Sequence, residues 1–246
     1  MQSRKITKKR NTDHRIPDRE IPDPAVPPVR RRYEDACGAA HGLDLVGERW
    51  ALLVMRELMF GPRRFGDLRA ALPGISANVL TQRLQGLEAS GIVERRRLPQ
   101  PASVQVYGLT SWGLEGEPIF QALGRWAARS PAHDPSLPIS AASLMLSFRT
   151  LFDAGKAKGV TMTVGFVVGD EAYRVQVRKG ALTAQREIVE GADLTLTGTA
   201  QAIAAAVHGK VPLAELQESG ALRFAGDSAL VGQFASLFSL PAKAVM

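Results

Sequence analysis

Three prolines within residues 131–138 interrupt the chain just past its midpoint. Their polar surroundings are typical of a semi-rigid linker rather than of a helix or strand. Before this linker, apolar residues recur mainly at helical spacing, whereas after it they first alternate and then return to helical spacing. The flanking regions, 33–130 and 140–246, are each of ordinary domain size. The sequence therefore predicts a multidomain chain whose two folded units are joined by a linker over 131–139.

The net charge of +7 lies almost entirely in a third region, residues 1–32. This segment holds ten basic and four acidic side chains, five prolines and no aromatic residue. It cannot bury enough apolar surface to fold alone, so we predict a disordered basic arm. Bulk charge therefore says little about what the folded units bind.

In the first unit, apolar spacing predicts a run of helices. Leu43, Val46 and Trp50 lie on one face of a single long helix, which the glycine-proline pair at 61–62 ends. A shorter helix is predicted over 65–72. Two strand-like runs at 92–97 and 104–109 then flank a proline-containing tip and predict a hairpin.

The segment between the second helix and the hairpin carries the most informative pattern. Ser76 occupies the N-cap position of a predicted third helix over 78–87, whose leucines face inward. The opposite face carries short polar side chains, none of them acidic: Asn78, Thr81, Gln82 and Gln85. Asn and Gln can pair with adenine edges in the major groove. Contact with DNA and an ordinary solvated helix surface are both open interpretations of this face.

A final helix completes the first unit. Thr110 would cap it, and it carries the apolar residues Leu114, Ile119, Leu123 and Trp126. Three helices, a hairpin and a closing helix are the order of a winged helix-turn-helix, in which the third helix enters the major groove.

The motifs of residues 33–130 resemble the HxlR family of bacterial winged-helix regulators. They are Cys37, Leu45-Val46-Gly47-Glu48-Arg49-Trp50, Gly61-Pro62-Arg63-Arg64-Phe65, Ile75-Ser76, Leu80-Thr81, Arg83-Leu84, and Leu109-Thr110 with Gly113. The resemblance implies a homodimeric transcription factor that binds a palindromic operator in double-stranded DNA and dimerises through its terminal helices.

The residues expected to contact DNA lie on the third helix and the first hairpin strand. They are Ser76, Asn78, Thr81, Gln82, Arg83, Gln85, Arg95, Arg96 and Arg97. Strand alternation predicts that two of the three consecutive arginines point outward and meet phosphates, which gives affinity rather than sequence choice. A solvated basic strand is the alternative. Arg83 either reaches a phosphate or braces the helix from within.

Cys37 is the only cysteine and has two interpretations. It is either an inert packing residue or a thiolate that senses oxidants, a role that the resemblance implies because some family members use the matching cysteine in this way. The adjacent acidic residues, Glu34 and Asp35, would raise its pKa.

The second unit predicts an α+β fold. Alternating apolar residues indicate strands over 160–168 and 173–178 and one ending at Leu196, and helices follow Thr199 and Pro212, with Asp227 capping the last. This order predicts a mostly antiparallel sheet with helices packed on one side.

This unit is similar to sterol-carrier-protein-like domains over about 140–241, through Ala192-Asp193-Leu194 and Leu222-Arg223-Phe224-Ala225-Gly226-Asp227. The resemblance implies an apolar tunnel for a lipid or another hydrophobic small molecule. Its candidate lining is Phe148, Phe152, Phe166, Phe234 and Phe238. The alternative is that these rings fill a solid core.

Motifs for catalysis, cofactors and metals are missing from the sequence. The four histidines lack metal-ligand spacing, and there is no dinucleotide, phosphate-loop or nucleophile-elbow motif. No leader or membrane-spanning stretch is evident. We therefore expect a cytoplasmic, non-enzymatic regulator with no cofactor and no membrane insertion, whose second unit senses a hydrophobic effector. The alternatives are a lipid carrier that dimerises through its winged helix, and a thiol-switched regulator with a structural second unit.

Overall fold

The computed structural model describes residues 33–100, 103–209 and 211–245. The predicted basic arm over 1–32 lies outside these residues, as does part of the hairpin tip. None of the described helices is long and apolar enough to cross a membrane.

The first unit has the predicted winged helix-turn-helix order. It runs α1 (Gly38–Val46), α2 (Ala51–Leu58), α3 (Phe65–Ala71), α4 (Ala77–Ala89), β1 (Val93–Arg97), β2 (Gln105–Leu109), α5 (Ser111–Leu114) and α6 (Glu117–Ala127). β1 and β2 pair antiparallel, with Val93 opposite Leu109, and form the wing.

The predicted first long helix is wrong, because the chain forms two helices there. The N–H of Gly47 bonds to the carbonyl of Leu43 at 2.8 Å and closes α1. A Cβ at Gly47 would lie 2.5 Å from that carbonyl oxygen, so only glycine fits this close. Trp50 then adopts a left-handed conformation, with φ of 80°. The apolar spacing continued in phase across the break and concealed it.

The closing helix is also divided, into α5 and α6. Thr110 caps α5 as predicted, since its Oγ1 accepts the N–H of Gly113 at 3.0 Å. The apolar residues assigned to this helix do not enter the core: Leu114, Ile119, Leu123 and Trp126 are all exposed, Trp126 to 72%. This helical face is therefore apolar and open.

The second unit is the predicted α+β fold. It runs α7 (Ala141–Leu151), β3 (Met162–Val168), β4 (Glu171–Arg178), β5 (Ala181–Arg186), β6 (Leu194–Gly198), α8 (Ala200–Val207), α9 (Leu213–Glu218), β7 (Leu222–Gly226) and α10 (Ala229–Ser236). The sheet order is β5-β4-β3-β6-β7. Its neighbouring strands are antiparallel except β3 and β6, which run parallel with Val164 opposite Leu194.

The two units share one continuous hydrophobic core. α7 packs against both α2 and α6 of the first unit. Met55 and Met59 on one side, and Ala142 and Met145 on the other, are each at most 5% exposed. The connection over 131–139 is mostly exposed, but it does not hold the units apart. A change in the second unit can therefore reach the first through direct contact.

Candidate nucleic-acid interface

α4 presents an exposed polar face opposite a buried apolar one. Ser76 caps it as predicted, because its Oγ accepts the N–H of Val79 at 3.2 Å. Leu80, Leu84 and Leu87 are at most 2% exposed and fix the helix to the core. The predicted contact residues on the other face, Asn78, Thr81, Gln82 and Gln85, are all exposed, as is Ser76. The packing thus leaves this row of polar groups open to a partner.

Hydrogen bonding distinguishes Thr81 from the amide side chains on this face. Its Oγ1 donates to the carbonyl of Ala77 at 2.9 Å, a bond within the helix. With its hydroxyl proton engaged there, Thr81 offers its methyl group and an oxygen acceptor to a partner. Among the described residues, no side-chain hydrogen bond forms at Asn78, Gln82 or Gln85, so their amides can both donate and accept.

All three consecutive arginines of the wing are exposed. The prediction that two of them would point outward is wrong, because all three side chains are open to solvent although Val106, opposite Arg96, is buried. Arg95 lies 3.8 Å from Glu88, and Arg96 pairs with Glu94 at 2.9 Å. Arg97 forms no salt bridge within the described part of the chain. The wing therefore offers a short basic strand with one unpaired arginine near its tip.

Arg83 differs from the other candidate contact residues because it is largely enclosed. Its Nη2 lies 3.2 Å from Glu48, and its side chain is 20% exposed. Its Nε is buried and has no hydrogen-bond partner in the described part of the chain. Of the two interpretations of Arg83, this geometry favours a brace between α4 and the turn after α1.

Cys37 precedes α1 and is exposed. Backbone N–H groups of Ala40 and Ala39, at the start of the helix, lower the pKa of its thiol below the ordinary value. The expectation that neighbouring acidic residues would raise this pKa is wrong. Hydrogen bonds from the open end of the helix favour the thiolate.

A cluster of charged residues that the sequence did not reveal joins the two units. Arg63, between α2 and α3, is 5% exposed and pairs with Glu171 at the start of β4. The hydroxyl of Tyr173 donates to the same Glu171 oxygen, and Arg186 approaches it at 3.3 Å. Burial raises the pKa of Tyr173 to about 12. We call Arg63, Glu171, Tyr173 and Arg186, together with Glu57, the boundary cluster.

Glu57 anchors the boundary cluster on the side of the first unit. It belongs to α2 and is fully buried. Ser140, just before α7, donates to its Oε1 at 2.6 Å, and Arg56 donates to the same oxygen at 2.8 Å. Its Oε2 lies 3.8 Å from Arg63. Charged residues in an apolar helix gave no signal of this partnership, because the partners are distant in sequence.

The five candidate pocket residues form one aromatic cluster in the second unit. The ring centroids of Phe148 and Phe234 are 5.3 Å apart, and those of Phe234 and Phe238 are 4.9 Å apart. Phe166 and Phe152 join them at 5.1 Å from Phe148 and 6.4 Å from Phe238. In this arrangement the rings pack against one another.

His208 borders this aromatic cluster, 5.5 Å from the ring centroids of both Phe148 and Phe238. Its Nε2 is 2.9 Å from the Ser147 hydroxyl, and its buried Nδ1 has no hydrogen-bond partner among the residues that the structure describes. Burial lowers the pKa of His208 to about 4. The imidazole is therefore neutral near pH 7 and carries one unsatisfied polar atom beside the rings.

A cleft of about 380 Å³ lies where α6, α7 and β5 meet. Its charged groups are paired with one another: Arg149 bonds to Glu117 at 2.7 Å and to the carbonyl of Ala184 at 2.6 Å. Gln121 also donates to Glu117, at 3.0 Å. The cleft thus presents few unmatched polar groups. Among the described residues, no group of three or more His, Cys, Asp or Glu side chains is placed to hold a metal ion.

The first unit is similar to known proteins. Residues 45–134 match the HxlR-like helix-turn-helix family model. The HTH-type transcriptional regulator YodB of Bacillus subtilis is 40% identical over 84 residues, which are 34% of this chain and 75% of YodB. YvaP, from the same organism, is 36% identical over 35% of this chain and 79% of its own length. The chain belongs to the HxlR-like helix-turn-helix family.

Further matches cover only part of this chain, and one of them concerns the second unit. The regulator sll1512 of Synechocystis is 42% identical over 35% of this chain, which spans 64% of that relative. The solved structure of reduced YodB is 34% identical, covers 41% of this chain and all of its own, and has a TM-score of 0.37. Residues 140–244 match the alkyl sulfatase C-terminal family model. That match is consistent with the α+β unit expected from the sterol-carrier-like pattern.

Proposed function

We propose that this HxlR-like protein is a sequence-specific DNA-binding transcriptional regulator. The observation that carries the proposal is the exposed face of α4, where Asn78, Gln82 and Gln85 form no side-chain hydrogen bond within the described residues, together with the exposed arginines of β1. An α-helix fits the major groove of DNA, where its amide side chains can pair with base edges. Arginines on a flanking strand can contact phosphates. The relatives that share this unit carry the name of HTH-type transcriptional regulators.

The open apolar face of α5 and α6 supports a homodimer. Trp112, Ile119, Leu123 and Trp126 are 44–72% exposed, an unusual cluster for a monomer. A second copy related by a twofold axis would cover this face and present two α4 helices to half-sites about one helical turn apart. Light scattering should then give twice the 26.5 kDa of one chain.

The test of the proposal is a footprint of the intact protein on genomic DNA, followed by Gln82→Ala on the operator found. Loss of one adenine-type contact should cost about 1–3 kcal/mol at the preferred base and relax the preference at that position. Gln217→Ala is the matched control, because Gln217 is exposed on α9 of the second unit. A preference left intact by Gln82→Ala would mean that this face of α4 does not read bases.

A hydrophobic effector is the second element of the proposal. The unsatisfied Nδ1 of His208 beside the aromatic cluster supports it, since an amphipathic ligand could satisfy that atom with its polar end while its apolar part separates the rings. Operator affinity measured across a panel of fatty acids and aromatic compounds tests this element. An affinity that no compound changes would contradict effector sensing and leave DNA binding intact.

A thiol switch is a second candidate mode of regulation, favoured by the exposure and lowered pKa of Cys37. Thiolates react with oxidants faster than thiols do. Under this candidate, an oxidant should weaken operator binding by the native protein, and Cys37→Ser should abolish that response. A response retained by Cys37→Ser would eliminate it.

A further inference from the structure

Arg63 links the wing to the second unit. Its backbone N–H and carbonyl both pair with Tyr107 of β2, each at 2.8 Å. Its side chain leaves in the other direction and meets Glu171 of β4. One residue therefore fixes the backbone of the wing and reaches across the boundary between the units.

Glu171 is the closer of the two carboxylates that neutralise Arg63. Glu57 lies 3.8 Å from Nη1 of Arg63, beyond hydrogen-bond distance, whereas Glu171 is in direct contact with Nη2. Glu171 is itself held in place by Tyr173 and Arg186 from β4 and β5. Its position is therefore set by the sheet of the second unit.

Loss of Glu171 would disturb the wing. A buried guanidinium without its carboxylate is unfavourable, so Arg63 would move toward water or draw water in. The residue opposite its backbone is Tyr107, and Tyr107 pairs in turn with Arg95 across the wing. A displacement at Arg63 therefore reaches the arginine strand in two steps of backbone pairing.

We propose that Glu171 is a positioning residue for DNA binding, through which the second unit holds the wing at the phosphates that flank α4. The inference rests on the proposed DNA binding and extends it. It assigns the second unit a role as a fixed support for the wing, whether or not a ligand binds there.

The test is Glu171→Gln in the full chain, which keeps the shape of the side chain and removes its charge. We expect operator affinity to fall about tenfold. In a hydroxyl-radical footprint, protection at the flanks of each half-site should be lost while protection at its centre persists. Glu187→Gln is the matched control, since Glu187 pairs with Arg174 at 3.6 Å inside the second unit. It should leave both measurements unchanged.

A double-mutant cycle with Arg97→Ala separates this role from a general loss of folded protein. If Glu171 acts through the wing, Glu171→Gln should weaken binding far less once Arg97 is removed. A general structural defect would lower affinity by the same factor in both backgrounds, and that result would overturn the inference.

If Glu171→Gln fails to fold, Tyr173→Phe tests the same inference. It keeps the ring that meets Phe60 edge-on at 5.7 Å and removes only the hydroxyl that donates to Glu171. We expect about a threefold loss of affinity with the same change at the flanks. Native protein that binds no operator would overturn the proposed function. Native binding that Tyr173→Phe and Glu171→Gln both leave unchanged would overturn this inference alone.

Discussion

The arginines of the wing and the arginine of the boundary cluster have the same chemistry and opposite surroundings. Arg95, Arg96 and Arg97 stand on an open ribbon, at least half exposed where they form ion pairs. Arg63 is 5% exposed and lies between two carboxylates from different units. The guanidinium of an arginine on an open strand can donate to phosphate, whereas that of an enclosed arginine donates to groups within the fold.

The same contrast explains why charge alone is a poor guide to DNA binding in this chain. Ion pairs on the wing are exposed, so water and salt screen them and a phosphate can replace them. The ion pair of Arg63 is screened much less, and it is tied to backbone pairing with Tyr107. The wing is thus suited to exchange partners, and the boundary cluster is suited to keep them.

Removal of Arg63 should produce the largest effect. Arg63→Ala leaves Glu171 without its buried partner and Glu57 with Arg56 as its only close counter-charge in the described part of the chain, and breaking a buried pair in this way costs about 3–5 kcal/mol. The free energy of unfolding from urea titration measures it. Arg97→Ala, on the open strand, should change that free energy by no more than about 0.5 kcal/mol.

Similar losses for Arg63→Ala and Arg97→Ala would break the comparison between enclosed and open arginines. That result would mean that the boundary cluster is hydrated and that Arg63 holds neither unit in place.

The burial of His208 should make the free energy of unfolding depend on pH. The folded-state pKa of about 4 is below the ordinary 6.5, so the unfolded chain binds this proton more readily. The stability that depends on neutral His208 is therefore complete above pH 6.5 and is lost as pH falls toward 4, by about 3 kcal/mol at 1.36 kcal/mol per pH unit. Urea titrations between pH 4 and 7 measure the slope.

His208→Gln should flatten that slope, because it removes the titrating group and keeps a polar side chain. His133, exposed in the connection between the units, supplies the control, and His133→Gln should reproduce the native pH profile. A native slope retained by His208→Gln would place the acid-sensitive group elsewhere.

Local patterns predicted most elements of the fold, but they did not separate β5 from β6 and did not show where the elements break or meet. The Ser76 and Thr110 caps and the strand alternation were readable because each depends on neighbours a few residues apart. The break at Gly47 was missed because the apolar spacing stayed in phase across it. The contact between Arg63 and Glu171 joins residues more than one hundred positions apart, and no local period encodes such a pairing.

Some features of the candidate site could also be predicted from local sequence patterns, and others could not. The polar face of α4 could be predicted, since helical periodicity places Asn78, Gln82 and Gln85 together once the leucines face inward. The apolar residues of α5 and α6 could be placed on a helix, but apolar spacing does not show whether the core or a partner covers them. Sequence could not decide Arg83 either, because both of its interpretations require the same position on the helix.

Arg83 offers the smallest and sharpest test of the comparison, since its exposure is intermediate. If it braces α4, Arg83→Ala and Glu48→Gln should each lower the free energy of unfolding by about 0.5–1 kcal/mol, the range of a partly exposed ion pair. Operator affinity should then change less than threefold for both. If Arg83 instead contacts a phosphate, Arg83→Ala would lower affinity about tenfold, and Glu48→Gln would raise it by releasing the guanidinium. Opposite effects of the two substitutions on operator affinity would therefore move Arg83 from the enclosed class to the open one.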